Sequence, residues 1–194
     1  MSETARVPTT EVTGLYAGIL KIAMRKMLGK VPDSLGVMWH HPRLFKDLMG
    51  FGRKSEKWSE LDPALAAYAS MATASQIGCA FCLDLHYFLS RHKGMDEAKA
   101  REVPRWRESE VFTPVERRVM EYAEAMSQTP PTVTDELAAA LLTDLGAPAL
   151  LELTATVGLM NLNARSNVAL GIPSEEFSDA CGLPPIAAPS VVAS

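Results

Sequence analysis

The stretch Gly78-Cys79-Ala80-Phe81-Cys82-Leu83-Asp84-Leu85-His86-Tyr87-Phe88-Leu89 decides how this chain is read. It reads as a helix. A helix turns by about 100° per residue, so Cys79, Cys82 and His86 share one narrow stripe. Two thiols and an imidazole then lie within two turns, His86 one turn beyond Cys82. Asp84, in the same run, points roughly 200° away from Cys82 and reads as a surface residue.

Working outward, Asp62-Pro63 is a strong helix start, an acidic N-cap followed by proline at the first helical position. That helix runs through Ala64, Leu65, Tyr68, Met71 and Ala72 to Gly78. It is rich in alanine and serine, so neighbours can approach it closely. The cysteine helix is expected to reach about His92 and to end at Lys93-Gly94. Arg91, His92 and Lys93 suit the negative end of its dipole. A short helix follows from Met95 to Arg101. Thr113-Pro114-Val115-Glu116 opens another, which runs to Ser127 and stops before Pro130-Pro131. Thr134-Asp135-Glu136 opens a helix that reaches Leu145-Gly146, and Ala147 to about Leu170 is the longest apolar helical stretch.

On the N-terminal side, Leu15, Ile19, Ile22, Ala23 and Met27 recur at helical spacing between Glu11 and Leu28, and Gly29 ends that helix. Shorter helices run from Asp33 toward Trp39 and from Pro42 to about Gly50. A last turn lies between Pro173 and Ala180. No segment alternates with period two in β-branched residues. The expected fold is all-α, about eight helices in one domain over residues 11–182. Residues 1–10 and the Pro/Ala-rich tail 183–194 are expected to be loose.

The 194 residues suffice for one domain with a real core. A net charge of −4, with no run of Lys and Arg, speaks against nucleic acid as a partner. Arg101, Arg105 and Arg107 are interleaved with Glu102, Glu108 and Glu110 and read as a solvated mixed-charge surface. The first residues lack the apolar core of an export signal, and the apolar stretches read as too short or too interrupted to cross a membrane. A cytoplasmic setting is therefore expected. In a reducing compartment a CxxC pair points to redox or metal chemistry rather than to a structural framework.

Only a thiolate attacks a peroxide or a disulfide, and a free thiol has a pKa of about 8.5. Cys79 falls where unpaired backbone N–H groups favour negative charge. Cys82 is one turn from His86, where Cβ atoms are roughly 5–6 Å apart, within reach of an imidazole acting as base. A sulfenic acid formed on one cysteine can condense with the other into a disulfide, which a further dithiol must then reduce. Such a centre needs no bound metal or organic cofactor, because the electrons reside in the dithiol. Two other readings stay open. The cysteines can be inert and buried, or Cys79, Cys82 and His86 can ligate zinc with Cys181 or His40 as a fourth ligand. His40 and His41 otherwise read as surface residues at a helix end, the methionines as core, and Cys181 as a spectator. Asn161, Asn163 and Arg165 read as an inter-helix or subunit contact.

The run from Leu61-Asp62-Pro63 to His86 resembles the core of the alkylhydroperoxidase D-like (AhpD-like) and carboxymuconolactone decarboxylase family. Phe112–Met126, the segment Asn161–Gly171 and Trp39-His40-His41-Pro42 resemble further helices of its peroxidase-related members. The resemblance spans roughly residues 15 to 173. It implies an all-helical fold and a homo-oligomer, a trimer or hexamer. It also implies a cofactor-free CxxC centre that reduces hydroperoxides and is recharged by a dithiol donor. By position, Cys82 is then the attacking thiol, Cys79 the resolving one and His86 part of a proton relay. The family's relay also has a glutamate twelve residues before the first cysteine, where this chain has Ala67. Glu60 and Asp62 lie one to two turns earlier, and Glu121 or Glu124 could substitute only if packing brings them near. Weak peroxidase activity, or activity on a disulfide, is the expectation. The decarboxylase branch is the poorer match, because it does not depend on a CxxC pair. The rivals are a cofactor-free non-redox enzyme and a redox-sensing oligomer without turnover.

Overall fold

A computed structural model describes residues 5–90, 95–180 and 182–188. Its helices are α1 (Leu15–Leu28), α2 (Asp33–Met38), α3 (Pro42–Ser55), α4 (Pro63–Ile77) and α5 (Ala80–Ser90). There follow α6 (Glu97–Glu102), a 3₁₀ turn (Val103–Arg105), α7 (Pro114–Ser127), α8 (Asp135–Leu170) and α9 (Phe177–Ala180). Among the described residues there is no strand, so the fold is all-α.

The start signals act as read. The Asp62 carboxylate accepts the backbone N–H groups of Ala64 and Leu65 at 2.8 and 3.2 Å, ahead of Pro63. Thr113 and Glu116 form a reciprocal capping box at the head of α7. Thr134 accepts from the N–H of Leu137 at 3.2 Å to open α8. Two helices expected on either side of Gly146 form one element, broken where Gly146 takes φ 78° and ψ 166°. A positive φ there favours glycine, and Pro148 fits the first turn of the segment beyond. Contrary to the expectation for the apolar stretches, α8 is by length and composition long and apolar enough to cross a membrane. This break and its packing against α4 and α7 are those of a bundle helix.

α4 is the axis of the molecule. Every residue from Ala67 to Ala74 is buried, because alanines and serine let α5, α7 and α8 close around it. The main core joins Tyr68, Met71, Val119, Met120, Leu141, Leu153 and Val157. A smaller core holds α1 to α3 together through Leu20, Trp39 and Phe45, with Tyr16 stacked on Trp39. The apolar stripe expected on α1 does not enter it. Leu15, Ile19 and Ile22 are 87, 62 and 68% exposed, and Ala17 and Leu20 make the contacts instead, while Leu28 packs with Phe88 and Phe177.

The described parts of both chain ends make hydrogen bonds to the body. The Arg6 N–H donates to the Leu170 carbonyl at 2.8 Å, and the Thr10 N–H to that of Gly36. In the tail, the Tyr87 hydroxyl donates to the Pro184 carbonyl at 2.8 Å, and the Ala187 N–H to that of Arg101. The C-terminal end expected for the cysteine helix, residues 91–94, and Cys181 lie outside the described residues.

Candidate active site

Gly78 ends α4 in the left-handed region, at φ 78°, and turns the chain straight into α5. The Cys79 N–H closes that turn by donating back to the Ala74 carbonyl at 2.9 Å. Cys79 therefore occupies the cap position just ahead of α5, and its sulfur accepts the N–H of Cys82 at 3.2 Å. A hydroxyl or carboxylate normally makes this contact; here a sulfur makes it. Cys79 and Cys82 are joined as a disulfide, their Cα atoms 5.3 Å apart. Each residue is only 3% exposed, in an apolar cluster with Ala74, Met160 and Ala164.

His86 lies one turn beyond Cys82 on the uninterrupted α5 and is half-buried. The stripe expected from the sequence is thus preserved. A fourth side chain joins it from α8: the Asn167 amide Nδ2 donates to the Cys82 sulfur at 3.3 Å. Sequence reasoning missed this role for Asn167. A signal was present, because Leu153, Val157, Met160 and Ala164 form a buried stripe on α8 that Asn167 continues at helical spacing. A polar residue ending an apolar stripe needs a partner, and the partner is sulfur.

The relay position behaves differently. Ala67 is buried at 1% exposure and brings no proton-transferring group. The proposed substitutes are placed elsewhere. Glu124 accepts from the Trp106 indole at 2.7 Å and pairs with Arg107. Glu121 is exposed on α7 and shares a surface recess with Arg107, Glu124 and Gln128. Asp62 caps α4, and Glu60 is exposed.

Asp84 is corrected from surface to buried. Its carboxylate accepts four hydrogen bonds, from the Phe177 and Ser178 N–H groups at 2.9 and 3.0 Å and the Ser178 and Ser174 hydroxyls at 2.7 and 3.1 Å. It points away from Cys82, as helical geometry requires, but the segment leading into α9 covers that side.

His40 and His41 are not at the sulfurs. His40 Nε2 meets the Pro8 carbonyl at 2.8 Å, and His41 Nδ1 caps α3 by accepting the Leu44 N–H at 3.1 Å. Among the described residues no three His, Cys, Asp or Glu side chains gather as metal ligands. Asn161 and Arg165 make the expected inter-helix contact: Asn161 Nδ2 donates to the Ser127 hydroxyl at 2.9 Å, and Arg165 donates to the Ser127 carbonyl.

Fold and site together define an all-helical protein with a CxxC pair at the head of a buried helix. The chain belongs to the carboxymuconolactone decarboxylase family, whose AhpD-like members share this fold, and residues 42–125 match that family directly. YnjA of Escherichia coli K12 is 41% identical over 152 residues, which cover 78% of this chain and 84% of YnjA. The debrominase Bmp8, solved in complex with 2,3,4-tribromopyrrole, has a TM-score of 0.79 at 18% identity, covering 93% of this chain and 97% of Bmp8. A peroxidase-related protein of Ralstonia eutropha JMP134 with an alkylhydroperoxidase AhpD core has a TM-score of 0.78 at 17% identity, covering 91% and 96%. At these identities the two solved structures speak to the fold.

Proposed function

We propose that this chain is a cofactor-free enzyme of its family in which Cys79 and Cys82 alternate between dithiol and disulfide. The carrying observation is the pair itself: two buried sulfurs at disulfide distance, each with its own N–H donor. With a hydroperoxide, the Cys82 thiolate attacks the terminal oxygen. The O–O bond breaks, the alcohol leaves with a proton, and a sulfenic acid remains. The Cys79 thiolate displaces its hydroxide, which departs as water once protonated, and the disulfide closes. An external dithiol then returns two electrons and two protons. His86 handles the proton at Cys82.

Ala67 limits the peroxide branch. General acid–base help is worth about 10²–10⁴-fold, so weak hydroperoxide turnover is expected, with a disulfide as the better oxidant. The same alanine, with the family match over residues 42–125, favours a second reading. In that reading the enzyme is a cofactor-free non-redox lyase or hydrolase of the carboxymuconolactone decarboxylase type, and the sulfurs serve packing. A cytoplasmic setting and a homo-oligomer, trimer or hexamer, belong to both readings, with no nucleic acid or membrane as partner. Leu15, Ile19 and Ile22, exposed on α1, and Leu151, exposed on α8, support the assembly.

The test counts free thiols by mass spectrometry on reduced protein before and after one equivalent of hydrogen peroxide, with Cys82→Ser alongside. Turnover is then followed on a panel of a hydroperoxide, an aromatic disulfide and 2,3,4-tribromopyrrole with excess dithiol. Loss of two thiols to a Cys79–Cys82 disulfide, absent in the variant, with turnover of one panel member, supports the redox enzyme. Thiols that stay reduced after peroxide, with no panel member turned over, overturn it in favour of the non-redox reading. Disulfide formation without turnover of any member would indicate a sensor.

A further inference from the structure

We infer that Asn167 is the side chain that stabilises and aims the Cys82 thiolate, a positioning residue supplied to the cysteine pair from the far end of α8. The inference rests on the redox reading above and assigns it a residue.

The Cys82 residue is 3% exposed, and burial in apolar surroundings pushes a thiol pKa up. One N–H of the first turn of the cysteine helix is already committed. The Cys82 N–H, the third in α5, points at the sulfur of Cys79 and not at its own. The donor seen at the Cys82 sulfur comes from another element, the Asn167 amide at 3.3 Å, and it acts beside His86, the titratable neighbour one turn on along α5. The two sulfurs are thus served separately, Cys79 by backbone and Cys82 by a side chain.

The backbone that carries the amide is fixed. The Ile172 N–H returns to the Asn167 carbonyl at 2.9 Å, and the Gly171 N–H to that of Val168 at 3.1 Å, locking the end of α8. Met160 and Ala164, one and two turns back on the same stripe, pack in the cluster that contains both cysteines. An asparagine also suits both protonation states. Its N–H₂ donates to a thiolate and its carbonyl accepts from a thiol. Leucine offers neither contact, and aspartate accepts only and adds repulsion.

The test uses the full chain in a Cys79→Ser background, which leaves Cys82 as the thiol of the pair. The rate of alkylation by iodoacetamide is followed against pH, and Cys82 labelling is quantified by peptide mass. Asn167→Leu is expected to raise the apparent pKa of Cys82 by about one unit, slowing alkylation at pH 7 about tenfold. Asn167→Asp is expected to raise it further, and Asn167→Gln to recover part of the loss. A thermal melt of each variant identifies any that fails to fold, and the folded ones are compared. Superimposable pH profiles in folded Leu and Asp variants overturn the inference, even if the parent chain turns substrate over. Shifted profiles support it, and shifted profiles in a chain that turns nothing over leave the inference standing and remove the redox proposal instead.

Discussion

The two faces of α5 are built to opposite standards. On one, the Asp84 carboxylate accepts four hydrogen bonds from the segment leading into α9. On the other, among the described residues, each sulfur of the Cys79–Cys82 pair accepts a single N–H. Both sites are buried and a few residues apart. A fully satisfied carboxylate has nothing left to offer a ligand and works as a fastener. A sparsely satisfied sulfur keeps lone pairs for chemistry. Burial and polarity alone do not tell these two sites apart; the degree of saturation does.

The comparison can be broken most directly at Asp84. Asp84→Ala strands the Phe177 and Ser178 N–H groups and should cost about 3 kcal/mol in urea unfolding, with the cysteines untouched. A loss under about 1 kcal/mol would mean that the carboxylate fastens little. On the sulfur face the expected effect is smaller. The bridge joins residues only three apart, so reducing it should cost at most about 2 kcal/mol, read as the difference between melts with and without phosphine reductant. Smallest is the alkaline limb. Burial first, then the charges of Glu116, Asp96 and Asp62, hold the Tyr68 hydroxyl well above the ordinary tyrosine range. The unfolded chain loses that proton near pH 10 while the folded one keeps it, so stability falls as pH rises past 10. Tyr68→Phe should flatten that decline, and an unchanged slope would remove Tyr68 as its source.

The fold was largely legible because its punctuation is local. Asp62-Pro63, Thr113-Pro114 with Glu116, and Gly78 each act within one helical turn, so sequence alone places them. The cysteine stripe was legible for the same reason. The partners of α5 were not, because they arrive from far along the chain. Asn167 reaches Cys82 across 85 residues, and Ser178 reaches Asp84 across 94. Helical phase showed where Asp84 points but not what would cover it. The α1 stripe misled for a related reason: apolar periodicity marks a face that seeks cover without saying which body supplies it.

The capping role of Cys79 has a consequence for how news of oxidation travels. The bridge closes inside the first turn of a single helix, tying a cap to the residue whose N–H it already holds. The bridge itself joins no second helix. Such a centre resembles a latch confined to its own housing. A change confined to one helical turn is one the rest of the building need not hear.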